Sequence, residues 1–133
     1  MDSTGLLPLS IFDLPNLSVI NLENNQLVGP LSNHVSCLNL LIYLFLSSNF
    51  LNGILPSWLF GLTSLVRLTL DHNQFIGEIG EFKYNNSLDY LDLSYNMLQG
   101  SIPSSISRLV NLPNLYLSSN NLQALFLAQY LDL

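Results

Sequence analysis

Basic residues are scarce in this sequence, which has three Lys and Arg among 133 residues against nine Asp and Glu, for a formal net charge of −6. Binding to nucleic acid depends on Lys and Arg that neutralise phosphates, so the composition argues against a nucleic-acid partner. It also leaves no polybasic patch for an anionic membrane surface. Charged residues of both signs make up only 9% of the chain, which is low for a soluble surface.

Cysteine is nearly absent as well. With Cys37 as the single cysteine, no internal disulfide framework can form. Together with two histidines, His34 and His72, it shows none of the ligand spacings of a metal site. The sequence therefore predicts neither a metal site nor a cofactor.

Long hydrophobic runs are also missing. The best apolar run, Leu38–Leu46, has about half the length that a membrane-spanning helix needs. The first residues, MDSTGLLPLSIF, contain Asp2 and no basic stretch, so they do not read as a signal peptide.

One pattern instead repeats along the whole chain. An Asn follows each of five Leu-x-Leu or Ile-x-Leu segments, at intervals of 24, 24, 23 and 24 residues. After most of these Asn residues come an apolar residue at two positions on, Gly at four and an aliphatic residue at six. We call them the ladder asparagines; they are Asn25, Asn49, Asn73, Asn96 and Asn120.

A fixed period of 20 to 29 residues with this leucine pattern is the signature of a leucine-rich repeat. We therefore predict an α/β leucine-rich repeat solenoid, with a parallel β-sheet on its concave face, short 3-10 or irregular outer segments, and no caps. One domain spans residues 1–133. Its predicted units are a partial coil at 1–13 and coils at about 14–37, 38–61, 62–84, 85–108 and 109–133.

Each ladder asparagine ends a short strand. Its side chain offers one acceptor and two donors, so it can bond to backbone groups inside a turn from which water is excluded. Asp could not donate in the same way, and Leu could neither donate nor accept. We predict a structural hydrogen-bonded ladder rather than a ligand contact.

The residues between and beside the strand leucines face outward on the concave sheet. Several are aromatic, and exposed aromatic side chains on a rigid sheet are typical of recognition surfaces. The alternative is that neighbouring rings only stack on one another across strands. The candidate ligand-binding residues are Tyr43, Phe45, Arg67, Thr69, Asp71, His72, Tyr90, Asp92, Tyr95, Asn114 and Tyr116.

A catalytic interpretation of this face is weak. His72 lies in one coil with Arg67 and Asp71, and Ser47 or Ser94 could approach it from neighbouring coils. A flat sheet, however, offers no pocket and no oxyanion donors. We therefore predict a non-catalytic protein.

Two sequons are present, Asn16-Leu17-Ser18 and Asn85-Asn86-Ser87. The motif is weak and matters only on the secretory route. Asn16 and Asn85 are the predicted glycosylation sites.

The segments LNGILPSWL and LQGSIPSSI resemble the plant type of leucine-rich repeat, and the chain resembles the ectodomains of plant receptor-like proteins and receptor-like kinases, most of all receptor-like proteins of the fungal disease-resistance type. The resemblance implies a role in defence or developmental signalling. The resemblance implies a glycosylated segment at the extracellular face of the plasma membrane. It also implies a protein, peptide or glycan ligand on the concave face and a co-receptor kinase as signalling partner. We expect an internal segment of a longer receptor. The alternatives are a secreted inhibitor of microbial polygalacturonases, a receptor whose kinase follows this segment, and a non-functional receptor remnant.

Overall fold

A computed structural model of the protein describes residues 4–35, 37–83, 86–109 and 112–123. The described residues form two parallel sheets that run side by side along a solenoid. The strands, in chain order, are β1 (Thr4–Leu6), β2 (Val19–Asn21), β3 (Gln26–Pro30), β4 (Tyr43–Phe45), β5 (Phe50–Ile54), β6 (Arg67–Thr69), β7 (Gln74–Gly77), β8 (Tyr90–Asp92), β9 (Met97–Ser101), β10 (Asn114–Tyr116) and β11 (Asn121–Gln123).

The predicted concave sheet is confirmed. Its strands lie in the order β10-β8-β6-β4-β2, and every pairing is parallel and in register. The central leucines Leu44, Leu68 and Leu91 are aligned with one another and fully buried. Successive side chains in a strand point to opposite faces, so the two neighbours of each buried leucine point outward.

A second sheet was not predicted from the sequence. Its order is β1-β3-β5-β7-β9-β11, built from the segments that follow each ladder asparagine. The glycines of these segments were expected in turns, yet Gly53 has a φ of +78° within β5. A Cβ built there would lie 3.1 Å from the Cβ of Pro30, so the glycine allows both the dihedral and the close approach of the neighbouring coil. None of the six strands carries a charged residue.

The outer segments contain 3-10 helices at Leu9–Asp13, Ser57–Gly61 and Ser104–Arg108, as predicted. Each follows a proline, namely Pro8, Pro56 and Pro103. No α-helix occurs in the part of the chain that the structure describes, and no helix there is long and apolar enough to cross a bilayer.

Four of the five ladder asparagines bond their coil to the one before it. Asn73 donates from Nδ2 to the carbonyl oxygens of Leu70 and Asp71 in its own coil, at 3.0 and 3.2 Å. It also donates to the carbonyl oxygen of Leu46 in the preceding coil at 3.0 Å, and its Oδ1 accepts the N–H of Leu51 at 3.0 Å. The same four kinds of bond are made by Asn49, Asn96 and Asn120, while Asn25 makes the two within its own coil.

Candidate functional site

The concave sheet presents its outward residues in straight rows, because its strands pair in register. Residues at the first strand position form the first row: Val19, Tyr43, Arg67, Tyr90 and Asn114. Residues at the third strand position form the second row: Asn21, Phe45, Thr69, Asp92 and Tyr116. All of the candidate residues in these two rows are exposed or half-buried, so the structure brings them together on one face.

Two aromatic pairs flank the central coil of this face. Tyr43 and Phe45 stack within β4, with ring centroids 5.6 Å apart and planes inclined by 17°. On the other side of β6, Tyr90 and Tyr116 lie 5.4 Å apart at 48°. The two rings within each pair contact one another and are also partly exposed, so stacking across the face and contact with a ligand are compatible for them.

Arg67 is the cation of the central coil. Its guanidinium carbon lies 5.8 Å from the centre of the Tyr90 ring, within the range of a cation–π interaction. Its Nε is 3.9 Å from Oδ1 of Asp89, which is too long for a hydrogen bond. With 54% of its side chain exposed, Arg67 is accessible to a ligand.

Hydroxyl groups hold the carboxylates of this face in place. Asp71 accepts a 2.5 Å hydrogen bond from the Ser47 hydroxyl through Oδ1, and its Oδ2 lies 2.9 Å from Nδ1 of His72. Oδ1 of Asp92 accepts from the backbone N–H and the hydroxyl of Ser94 at 3.0 and 2.6 Å. Ser47 and Ser94 occupy outward positions in the sequence pattern but are buried, and each donates a hydrogen bond to one of these carboxylates.

The field around Tyr90 is negative. Burial is the largest cause that raises the pKa of its hydroxyl, and the neighbouring Asp92, Tyr116 and Asp71 raise it further. Arg67 acts in the opposite direction without reversing the shift.

His72 and Tyr95 occupy a conformation that the sequence pattern did not predict. Each precedes a ladder asparagine and has a φ of +55°, in the left-handed region. Their rings stack at 4.4 Å with planes inclined by 13°. The signal lies in position rather than residue type, since Asn24, Ser48 and Ser119 hold the same place and also have positive φ.

The hydrogen bonds do not assemble a nucleophile and base. The hydroxyls of Ser47 and Ser94 donate to Asp71 and Asp92, and neither donates to His72. A serine nucleophile needs its proton directed at the base. Among the described residues there is also no group of three His, Cys, Asp or Glu side chains that could hold a metal ion.

The remaining candidates lie in less central places. Nδ2 of Asn114 is 3.4 Å from the carbonyl oxygen of Asp89, at one side of the sheet. Asn16 is exposed in the turn before β2 and has a φ of +65°. Asn85 lies outside the described residues.

Family models of the leucine rich repeat match residues 15–75 and 79–122. The chain belongs to the leucine-rich repeat family. A search of curated protein sequences finds no match to it.

Solved structures place this repeat chain among plant receptor ectodomains. It is 34% identical to the ectodomain of the Arabidopsis thaliana receptor kinase GASSHO1/SCHENGEN3, solved with CASPARIAN STRIP INTEGRITY FACTOR 2, with a TM-score of 0.84 over 90% of this chain and 14% of that one. It is 36% identical to the plant peptide hormone receptor RGFR1, solved with RGF2, with a TM-score of 0.85 over 91% of this chain and 20% of that one. It is 30% identical to the Arabidopsis receptor kinase HAESA, solved with the peptide hormone IDA and the co-receptor SERK1, with a TM-score of 0.83 over 91% of this chain and 20% of that one. The chain thus spans a fifth or less of the length of these receptors.

Proposed function

We propose that this chain is a ligand-recognition segment of a plant cell-surface receptor ectodomain and that it performs no catalysis itself. The observation that carries the proposal is the pair of partly exposed aromatic clusters on the concave sheet, Tyr43 with Phe45 and Tyr90 with Tyr116. The inward leucines, the ladder asparagines and the glycines account for the fold, whereas rigid aromatic rings on an open sheet supply contact area at low conformational cost.

The ligand class that fits best is a peptide. The similar structures include the plant peptide hormone receptor RGFR1, solved with RGF2, and HAESA, solved with the peptide hormone IDA and the co-receptor SERK1. A parallel sheet face with side chains in rows suits an extended chain that crosses the coils. By the same analogy, the proposed setting is the extracellular face of the plasma membrane, with a co-receptor kinase as partner and a glycan on Asn16 or Asn85.

A random dodecapeptide phage library tests this proposal. Peptides selected on the wild-type chain are expected to lose at least about tenfold in affinity for a Tyr43→Ala/Tyr90→Ala variant, because each buried ring contact is worth about 1 kcal/mol or more. The matched control is Phe50→Ala/Met97→Ala, which removes two exposed apolar side chains from the second sheet.

Single alanine variants at Tyr43, Phe45, Arg67 and Tyr90 then map the contact. If the selected peptides bind all four as tightly as wild type, the concave-face assignment is wrong. If the selected peptides fail to bind only the Phe50→Ala/Met97→Ala variant, recognition lies on the second sheet instead.

A further inference from the structure

Charge on the concave sheet is distributed unevenly along the strand direction. Arg67 stands in the first row, at the start of β6, with Asp89 near it. Asp92 stands in the second row, and Glu23 and Asp71 follow the ends of β2 and β6. The strand-end side of the face is therefore acidic, while Arg67 stands on the strand-start side.

The carboxylates on the acidic side have no Lys or Arg partner in the described part of the chain. Hydroxyl donors fix the orientation of Asp71 and Asp92 but bring no positive charge. Within the described ranges, neither Lys nor Arg forms an ion pair with either of them or with Glu23. His72 beside Asp71 would carry a compensating charge only when protonated.

Glu23 brings a third carboxylate to the middle of the sheet. Its Oε1 lies 3.3 Å from the Thr69 hydroxyl, which belongs to a strand two places away. Because β4 lies between β2 and β6, the Glu23 side chain crosses β4 next to Phe45. Asp92 is the register partner of Thr69 on the far side, so the Glu23 and Asp92 carboxylates stand one to two strand spacings apart, about 5 to 10 Å.

The aromatic rings of this face complement the same charge. The negative face of a tyrosine ring attracts a guanidinium or ammonium group, as the position of Arg67 over Tyr90 illustrates. Phe45 and Tyr116 flank the carboxylates in the second row and have no cation over their rings in the described part of the chain. Burial is the largest cause of the raised pKa of Tyr90, and Asp92 and Asp71 raise that pKa further.

We propose that the concave sheet binds a basic peptide in an extended conformation, with Lys or Arg side chains seated among Glu23, Asp71 and Asp92 and against the rings of Phe45 and Tyr116. The proposal rests on the recognition function given above and names the class of ligand. In an extended peptide, residues i and i+2 project to the same side about 7 Å apart. That separation matches the spacing of the carboxylates, so the favoured ligand carries two basic residues with one residue between them.

Three synthetic nonapeptides test the charge preference. All are N-acetylated and C-amidated in a Ser/Gly background and differ only at positions 4 and 6, which are Lys and Arg, two Gln, or two Glu. Tyrosine ring signals of the 13C-labelled chain report binding at low ionic strength. The basic peptide is expected to shift the signals of Tyr90 and Tyr116 and to bind about tenfold more tightly than the Gln peptide, as two partly exposed ion pairs allow.

The variant Asp71→Asn/Asp92→Asn should strongly reduce that preference, because only Glu23 remains of the three carboxylates. It should leave the fold intact, since Asn Oδ1 still accepts the serine hydrogen bonds. The control Glu78→Gln/Glu81→Gln changes the net charge equally at exposed positions outside the face, and it should retain the preference.

Equal affinity for the three peptides, or tighter binding of the Glu peptide, overturns the basic-ligand proposal while leaving concave-face recognition in place. Absence of any shift with the basic peptide also overturns it, and the phage-selected peptides then decide separately whether the concave face binds peptides at all. If the preference for the basic peptide falls equally in the Asp variant and in the control variant, the attraction is a general effect of net charge. That result would overturn the proposal that these carboxylates form a binding site.

Discussion

Replacing a buried ladder asparagine by aspartate is expected to destabilise the solenoid strongly. In Asn73→Asp the shape is conserved but both N–H donors disappear, and they serve three carbonyl oxygens at 3.0 to 3.2 Å. A buried hydrogen bond contributes about 0.5 to 1.5 kcal/mol net, and a buried charge without a donor costs more. All three carbonyl oxygens lose this bond, each keeping one other donor, from Asn49, Asn96 or the Ser48 N–H, and a carboxylate is brought against them in a residue only 8% exposed. We expect a loss of about 4 kcal/mol in the free energy of unfolding, a large part of the stability of an ordinary domain.

Equilibrium urea unfolding followed by circular dichroism measures this loss. Asn52→Asp is the matched control, because Asn52 is exposed in the adjacent strand β5 and should tolerate the change within about 0.5 kcal/mol. Burial is expected to raise the pKa of the introduced carboxyl at position 73 above its unfolded value. Protonation restores one donor, so the destabilisation should shrink as the pH falls through that raised pKa and grow as the pH rises. A variant within 0.5 kcal/mol of wild type at pH 7 would refute the ladder argument.

Two further changes test the site itself. Tyr95→Asn and Tyr95→Val both remove the stack with His72, but only Asn tolerates the left-handed backbone. The free energy of unfolding of the Asn variant should therefore exceed that of the Val variant by about 1 kcal/mol. Equal stabilities in urea would show that the backbone at position 95 is not strained. Asp92→Asn should lower the pKa of Tyr90 toward its ordinary value without fully restoring it, because burial is the larger cause; an unchanged titration of the 13C-labelled Tyr90 ring would count against the negative field.

The sequence was sufficient to predict the concave sheet because the buried leucines that form it recur at a fixed interval. Leu44, Leu68 and Leu91 recur at one phase, and a coil cannot bury them except against its neighbours. The second sheet escaped prediction because a glycine within a short segment reads as a turn. Gly53 adopts positive φ and still belongs to a strand, since the neighbouring coil supplies its partner.

Within the candidate site, position was predictable and contact was not. The pattern places Ser47 and Ser94 outward, but each serine is buried and donates to an aspartate whose position relative to the serine differs between coils. Asp71 lies one coil away from its serine, whereas Asp92 lies two residues before its own. Such pairings depend on the variable residues, which carry no period.

The residues that precede the ladder asparagines all have a left-handed backbone conformation, and two of them carry exposed rings. Stacking of the coils imposes a φ near +55° to +58° at the residue before each ladder asparagine. A residue chosen for folding alone would be Gly or Asn, as Asn24 is in the first complete coil, because other side chains cost about 1 kcal/mol there. His72 and Tyr95 carry that cost at exposed positions, and their mutual stacking offsets only part of it. Ser48 and Ser119 adopt the same dihedral, so the strain alone does not distinguish His72 and Tyr95. What distinguishes these two residues is a pair of exposed, stacked rings next to Asp71, which adds them to the surface proposed to contact a ligand.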